Sequence, residues 1–258
     1  MRASSRRWVT RPGLGEATHR SPKSAPREDL SDPQDAGLPE QGSLSLRVAV
    51  SVADVEVTPT GISGCIVFTP RQFADDRGRF LEFYRADVLA QAVGHRLALA
   101  QGNTSVSRRG VLRGVHFADV PPGQAKYVTC LSGAVLDVVT DLREGSPTFG
   151  LSEAVALDDR DRRALYIAEG LGHSFLTLSE SATVSYLCST PYTPTREHEL
   201  NPLDPHLALP WPEGTEPVLS PKDARAPGLH DARERGLLPS YDVCLAYRAE
   251  LLSGGDLA

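Results

Sequence analysis

The sequence predicts an all-β protein built as a sandwich or barrel, and three observations point there. Short apolar runs rich in β-branched and aromatic residues recur at close spacing. Gly, Pro, Asp and Ser bound each run, as turns require. Helical patterning is confined to two stretches, so the strands do not alternate with helices as a parallel sheet of βαβ units would demand.

The elements follow in chain order. Residues 1–27 carry seven Arg or Lys against one acid, Glu16, and are rich in Ser, Pro and Gly. Such a segment buries too little apolar surface to offset its ordering entropy. Residues 1–50 are therefore expected to be a disordered, basic, dispensable tail. The Arg6-Arg7 pair invites comparison with an export signal, but only polar residues and Arg11-Pro12-Gly13 follow. One domain is expected over residues 60–250, because no linker-like stretch interrupts the runs. Strands are expected at residues 65–68, 80–84, 127–131, 134–139, 165–167, 175–178 and 183–187. A helix fits Ala86–Val93, with Gly94 placed to end it, and a second fits residues 241–252.

Composition removes several function classes. The chain of 258 residues has ordinary apolar content, at 40 %, so it can bury a sizeable core. Its formal net charge is −6, where a nucleic-acid binder shows a basic excess. No apolar run reaches bilayer length. Cys65, Cys130, Cys188 and Cys244 are widely spaced with no C-x-x-C pair, which fits buried thiols in a reducing cytoplasm.

Residues 103–126 carry the chemistry. His116 lies in a strand-like segment between glycine-punctuated polar pieces, and Arg113 and Lys126 interrupt apolar surroundings. Charges in such places need partners, so an interior anion such as a diphosphate or an enolate oxygen is expected between them. One conflict arises. In a regular strand Arg113 and His116 point to opposite faces. Both reach one pocket only if Gly114 marks a bulge or the strand bends. A metal site is not expected. Metal-binding barrels converge several His and carboxylate ligands, whereas Phe117 and Ala118 follow His116 and His173 stands alone.

The full set of motifs is similar to the dTDP-4-dehydrorhamnose 3,5-epimerases, the cupin-type 4-keto-sugar epimerases of deoxysugar biosynthesis. The matching residues run from Gly64 to Leu229. They include Asp76-Arg77-Gly78-Arg79-Phe80-Leu81-Glu82, Gly110-Val111-Leu112-Arg113-Gly114-Val115-His116-Phe117 and Gln124-Ala125-Lys126. Further on stand Ser146-Pro147-Thr148-Phe149-Gly150, Gly170-Leu171-Gly172-His173, Tyr192-Thr193-Pro194 and Ser220-Pro221-Lys222-Asp223. The phrasing is closest to the antibiotic-sugar branch.

The resemblance implies a cupin-type jelly-roll barrel with a few short helices, a homodimer, a cytoplasmic location, and no redox cofactor or metal. It also implies residue roles. His116 matches the base and Asp223 the carboxylate behind it. Lys126 matches the cation at the ketone oxygen, and Tyr186 the proton donor on the opposite face. Arg77, Arg113 and His173 match diphosphate contacts, and Tyr192 matches the platform for the thymine ring. Glu82, Gln101, Asn103, Glu197 and Lys222 match further substrate contacts. The chemistry is self-consistent, because protons on carbons 3 and 5 of a 4-ketohexose are acidified by the carbonyl. Their exchange needs a base near neutrality, an opposing acid and a cation at the enolate. Phe117-Ala118, Gly102, Ser174 and Pro191 depart from the common pattern. They leave open whether C3, C5 or both are epimerised, and which sugar is taken, dideoxy and aminosugars included. A ketone-shifting isomerase and a catalytically silent sugar-nucleotide binder are the other readings.

Overall fold

Turn chemistry and strand propensity divide the described residues into fourteen strands and four helices. The structure, a computed structural model, describes residues 49–254. In order these are β1 Val50–Val52, β2 Val55–Pro59, β3 Cys65–Pro70, β4 Phe73–Asp75, β5 Gly78–Phe80 and α1 Ala86–Val93. Then come β6 Gln101–Arg108, β7 Leu112–Ala118, β8 Lys126–Ser132, β9 Ala134–Asp141 and β10 Ser152–Asp158. The rest are β11 Ala164–Ile167, β12 Leu171–Thr177, β13 Ser181–Cys188, β14 Glu197–Glu199, α2 Pro221–Ala224, α3 Leu229–Glu234 and α4 Tyr241–Ser253. All but the last two residues of the expected tail lie outside the described residues. Val50, its last residue, already pairs with Val57 in β1–β2, ahead of the expected domain start.

Two antiparallel sheets carry the fold. One runs β1-β2-β3-β11-β8-β13-β6 and the other β10-β9-β12-β7-β14, with β4-β5 as a separate hairpin. Sequential strands thus exchange between sheets, which is the jelly-roll pattern. The first core lies between the sheets, where Val128, Cys130, Leu165, Ile167 and Val184 meet Val135, Val139, Leu157, Leu171 and Phe175. A second core lies on the other side of the larger sheet, where Val57, Phe68, Tyr127 and Tyr166 pack against Val88, Leu89 and Val93 of α1. A third covers the smaller sheet, where Val115, Phe117 and Leu142 meet Leu200, Leu207, Leu229 and Leu238. Central strands are therefore buried on both faces, and β11 and β12 lose the polar alternation of a half-buried strand.

Helix α1 ends as its sequence predicts. Gly94 adopts φ 94° and its N–H bonds the Ala90 carbonyl. A Cβ there would lie 2.5 Å from Leu252 of α4, so glycine also allows the two helices to approach. Helix α4 spans the predicted C-terminal stretch. One expectation fails. Residues 80–84 are not a strand; β5 ends at Phe80, which is 67 % exposed, and the chain then turns so that Tyr84 packs edge-on to Tyr127. The apolar run there serves an exposed hairpin and a single inward anchor. All four cysteines are buried, and none forms a disulfide.

Candidate active site

Strand parity places the polar residues. On β8, Lys126 shares a face with Val128 and Cys130, which point between the sheets. On β13, Tyr186 follows Ala182 and Val184 on the same face. On β12, His173 lies between Leu171 and Phe175, and on β9, Asp137 lies between Val135 and Val139. The inner face is thus apolar at one end and polar at the other. The polar end opens into a cavity of about 320 Å³, lined by residues of both sheets and of α2.

The parity conflict on β7 is resolved by a bulge at Gly114. His116 pairs with His173, but Arg113 pairs with Phe175, so Gly114 and Val115 together oppose Ser174 alone. Gly114 has φ 108°, and a Cβ on it would lie 2.4 Å from the His173 carbonyl oxygen. Only glycine fits, and the extra residue turns both Arg113 and His116 into the cavity.

Asp223 reaches His116 through local capping. Ser220 caps the four-residue α2, accepting a hydrogen bond from the Asp223 N–H. Its hydroxyl donates to Asp223 Oδ2 at 2.9 Å, which leaves Oδ1 free to meet His116 Nε2 at 2.8 Å. Burial pushes the Asp223 carboxyl up, but the hydrogen bonds from His116 and Ser220 and the nearby cations outweigh it and hold it below the usual range. An ionised Asp223 accepts, so the neutral form of His116 carries its proton on Nε2 and its lone pair on Nδ1.

Lys126 is buried, and desolvation lowers its pKa. Among the described residues, no carboxylate comes within ion-pair distance of it. Burial raises the Tyr186 pKa, so its phenol keeps its proton at neutral pH. His173 Nε2 contacts both oxygens of Asp137, at 3.0 and 2.8 Å, and both side chains are sealed from solvent. Arg113 is exposed and donates from Nε to Ser107. Gln101 donates to Asn103 and accepts from the Tyr192 N–H, which places Tyr192 at the rim. Glu197 accepts from Gln124 at 3.3 Å. No group of three or more His, Cys, Asp or Glu among the described residues is arranged to hold a metal.

The family model for dTDP-4-dehydrorhamnose 3,5-epimerase matches residues 59–231. The chain belongs to this family. It is 57 % identical to the dTDP-4-dehydrorhamnose 3,5-epimerase of Streptomyces griseus, over 76 % of this chain and 98 % of that protein. It is 56 % identical to the dTDP-4-dehydrorhamnose 3-epimerase of Streptomyces niveus, over 74 % and 92 %. Among solved structures it resembles a 3'-monoepimerase from Streptomyces bikiniensis in complex with dTDP-quinovose. That match has a TM-score of 0.74 and 47 % identity, covering 76 % of this chain and 98 % of that one.

Eleven of the thirteen residues matched to the family from sequence line the cavity: His116, Tyr186, Asp223, Lys126, Gln101, Asn103, Arg113, His173, Tyr192, Glu197 and Lys222. Arg77 and Glu82 do not. Arg77 sits at the tip of the β4–β5 hairpin, 87 % exposed and paired with Asp75. Glu82 pairs with Arg85 beside α1. Both belong to the exposed hairpin segment, which does not fold back over this chain's own cavity. Sequence reasoning missed Asp137, Ser105, Gln124, Ser220, His198 and Glu199. Asp137 had a signal: an acid with the same parity as Val135 and Val139 inside an apolar strand.

Proposed function

We propose that this protein epimerises a dTDP-4-keto-6-deoxyhexose at C3, C5 or both, by proton removal and return through an enolate. The observation that carries this is the placement of the His116–Asp223 pair, Lys126 and Tyr186 around one cavity. His116 Nδ1 takes the proton from the carbon beside the ketone. The C–H electrons move into the carbonyl, and the Lys126 ammonium balances the charge that develops on oxygen. The Tyr186 hydroxyl returns a proton to the same carbon from the other face. The phenolate is then reprotonated from solvent, and His116 loses its proton to solvent. The hydrogen moves only as a proton, so the chemistry needs no redox cofactor.

Arg113 and His173 supply donors for the diphosphate, and Tyr192 a face for the base. Glu197, Gln101, Asn103 and Lys222 orient the sugar and nucleotide. Phe73 and Phe80 are 43 % and 67 % exposed on the β4–β5 hairpin, which supports a homodimer in which a second copy covers them. In that assembly Arg77 and Glu82 serve the cavity of the other copy. The four buried thiols, none in a disulfide, suit a reducing cytoplasm, and among the described residues no helix is long and apolar enough to cross a membrane.

The test is proton NMR of dTDP-4-keto-6-deoxyglucose with the protein in D2O. Deuterium entering C3 and C5 establishes a double epimerase. Incorporation at C3 alone, over a time course long enough for slow exchange, establishes the second reading, which the 3-epimerase relative favours. Binding without incorporation at either carbon overturns catalysis on this sugar.

A further inference from the structure

Lys222 and Asp223 are consecutive residues of α2, and both are tied to the smaller sheet. Asp223 meets His116 on β7. Lys222 Nζ meets Glu199 Oε2 on β14 at 2.9 Å. Glu199 is the register partner of His116, so the two ties end on side-by-side positions of adjacent strands. Helix α2 has only four residues and cannot hold its own shape without such anchors. The chain on either side of it is tied as well: Val218 exchanges backbone hydrogen bonds with Gly110 and Leu112 at the far end of β7, and the Pro227 carbonyl accepts from the Asn201 N–H just past β14.

An exposed ion pair contributes little by itself. This one differs in two ways. The Glu199 side chain is only 20 % exposed and its carboxylate lines the cavity. It also raises the Lys222 pKa through a direct hydrogen bond. Glu199 has no assigned role in the reaction sketched above, yet it sits beside the base.

We propose that Glu199 is a positioning residue: by holding Lys222 it fixes α2, and with it Asp223, against His116. The inference rests on the reading of His116 and Asp223 as the working pair. Without Glu199, α2 keeps its flanking backbone bonds but loses the side-chain tie next to Asp223, which then samples positions in which the hydrogen bond to Nε2 lengthens. Misplacement of a catalytic group by about 1 Å can lower a rate about a hundredfold. Partial loss of order should therefore appear in kcat rather than in substrate affinity.

The experiment compares the wild-type protein with Glu199→Gln, Lys222→Met and the double variant. The first readout is the downfield proton resonance of His116 Nε2–H in the free protein, identified by its loss in His116→Asn. It should broaden or vanish in Glu199→Gln. The second readout is turnover of dTDP-4-keto-6-deoxyglucose. Glu199→Gln should lower kcat about tenfold and leave KM within about twofold, consistent with loss of orientation. Lys222→Met should lower kcat similarly while also raising KM, and adding Glu199→Gln to it should change kcat by less than about twofold. Glu199→Asp, which keeps the charge, should recover part of the loss and guards against a simple folding defect. An unchanged resonance in Glu199→Gln overturns the proposal. So do kcat losses that multiply in the double variant, since Glu199 would then act independently of Lys222. Absence of turnover by the wild type would count against the proposed function, while the resonance would still decide the role of Glu199.

Discussion

Two histidines line the cavity from neighbouring strands, each paired with an aspartate, and their surroundings differ sharply. His116 and His173 are register partners, and each uses Nε2 to meet its carboxylate. The His116 side chain is 41 % exposed, whereas His173 is 7 % exposed and Asp137 wholly buried. Asp223 arrives on a short helix distant in sequence, while Asp137 is part of a central strand. The open pair can pass a proton to a ligand and exchange it with solvent. The sealed pair cannot do so readily; in its protonated form it holds a second, fixed N–H on Nδ1 that could donate to an anion. The same two residue types thus gain different work from access to water and from the rigidity of the element that presents the carboxylate.

The comparison breaks most severely at the open pair. His116→Asn should lower turnover about 10³-fold or more, within the range of general-base catalysis, and leave dTDP affinity within about threefold by calorimetry. If the loss appeared in affinity instead, the two pairs would not have separate tasks. Asp223→Asn comes next. It exchanges the charged acceptor that keeps the His116 proton on Nε2 for a neutral amide, and kcat should fall about 10²-fold with KM little changed. Asp137→Asn tests the sealed pair. It should raise KM about tenfold and cost about 3 kcal/mol of stability in denaturant titration, because a buried ionic partner is removed.

The smallest effect on turnover is expected at Glu169, a half-buried carboxylate that makes no ion pair with a histidine among the described residues and so serves as the control. It lines a small pocket with Tyr166, His95, Cys244 and Arg248 between β11, α1 and α4, and burial pushes its pKa up to about 7. The unfolded chain ionises this group near 4.5, and the folded protein resists until about 7. Stability should therefore fall as pH rises through that window, by up to about 3 kcal/mol. Glu169→Gln should flatten the curve. A wild-type curve that is already flat there would show that water or Arg248 stabilises the ionised form.

Much of the site was legible because it is local. The Gly110–Phe117 segment shows both its chemistry and its parity conflict, and the bulge at Gly114 is the remedy the alternation rule requires. Ser220-Pro221-Lys222-Asp223 was legible as a motif match, but nothing in that tetrapeptide says that it caps a helix or that Asp223 Oδ1 is left for a histidine. Arg77 and Glu82 were legible only as motif matches. Their hairpin is exposed, and the surface that would cover it is not part of this chain's own fold.

By itself the sequence determined six of the strands, β3, β8, β9, β11, β12 and β13, the helix from Ala86 to the Gly94 stop, and the residue types that proton exchange beside a ketone requires. These follow from periodicity, turn chemistry and side-chain acidity, all of which act over a few residues. Only the tertiary structure decided which histidine is open and which sealed, that Asp137 backs His173, and that Glu199 braces the helix carrying Asp223. Those contacts join strands far apart in the chain, 107 positions in the case of His116 and Asp223. Their burial depends on which sheet covers which, and no local pattern encodes that.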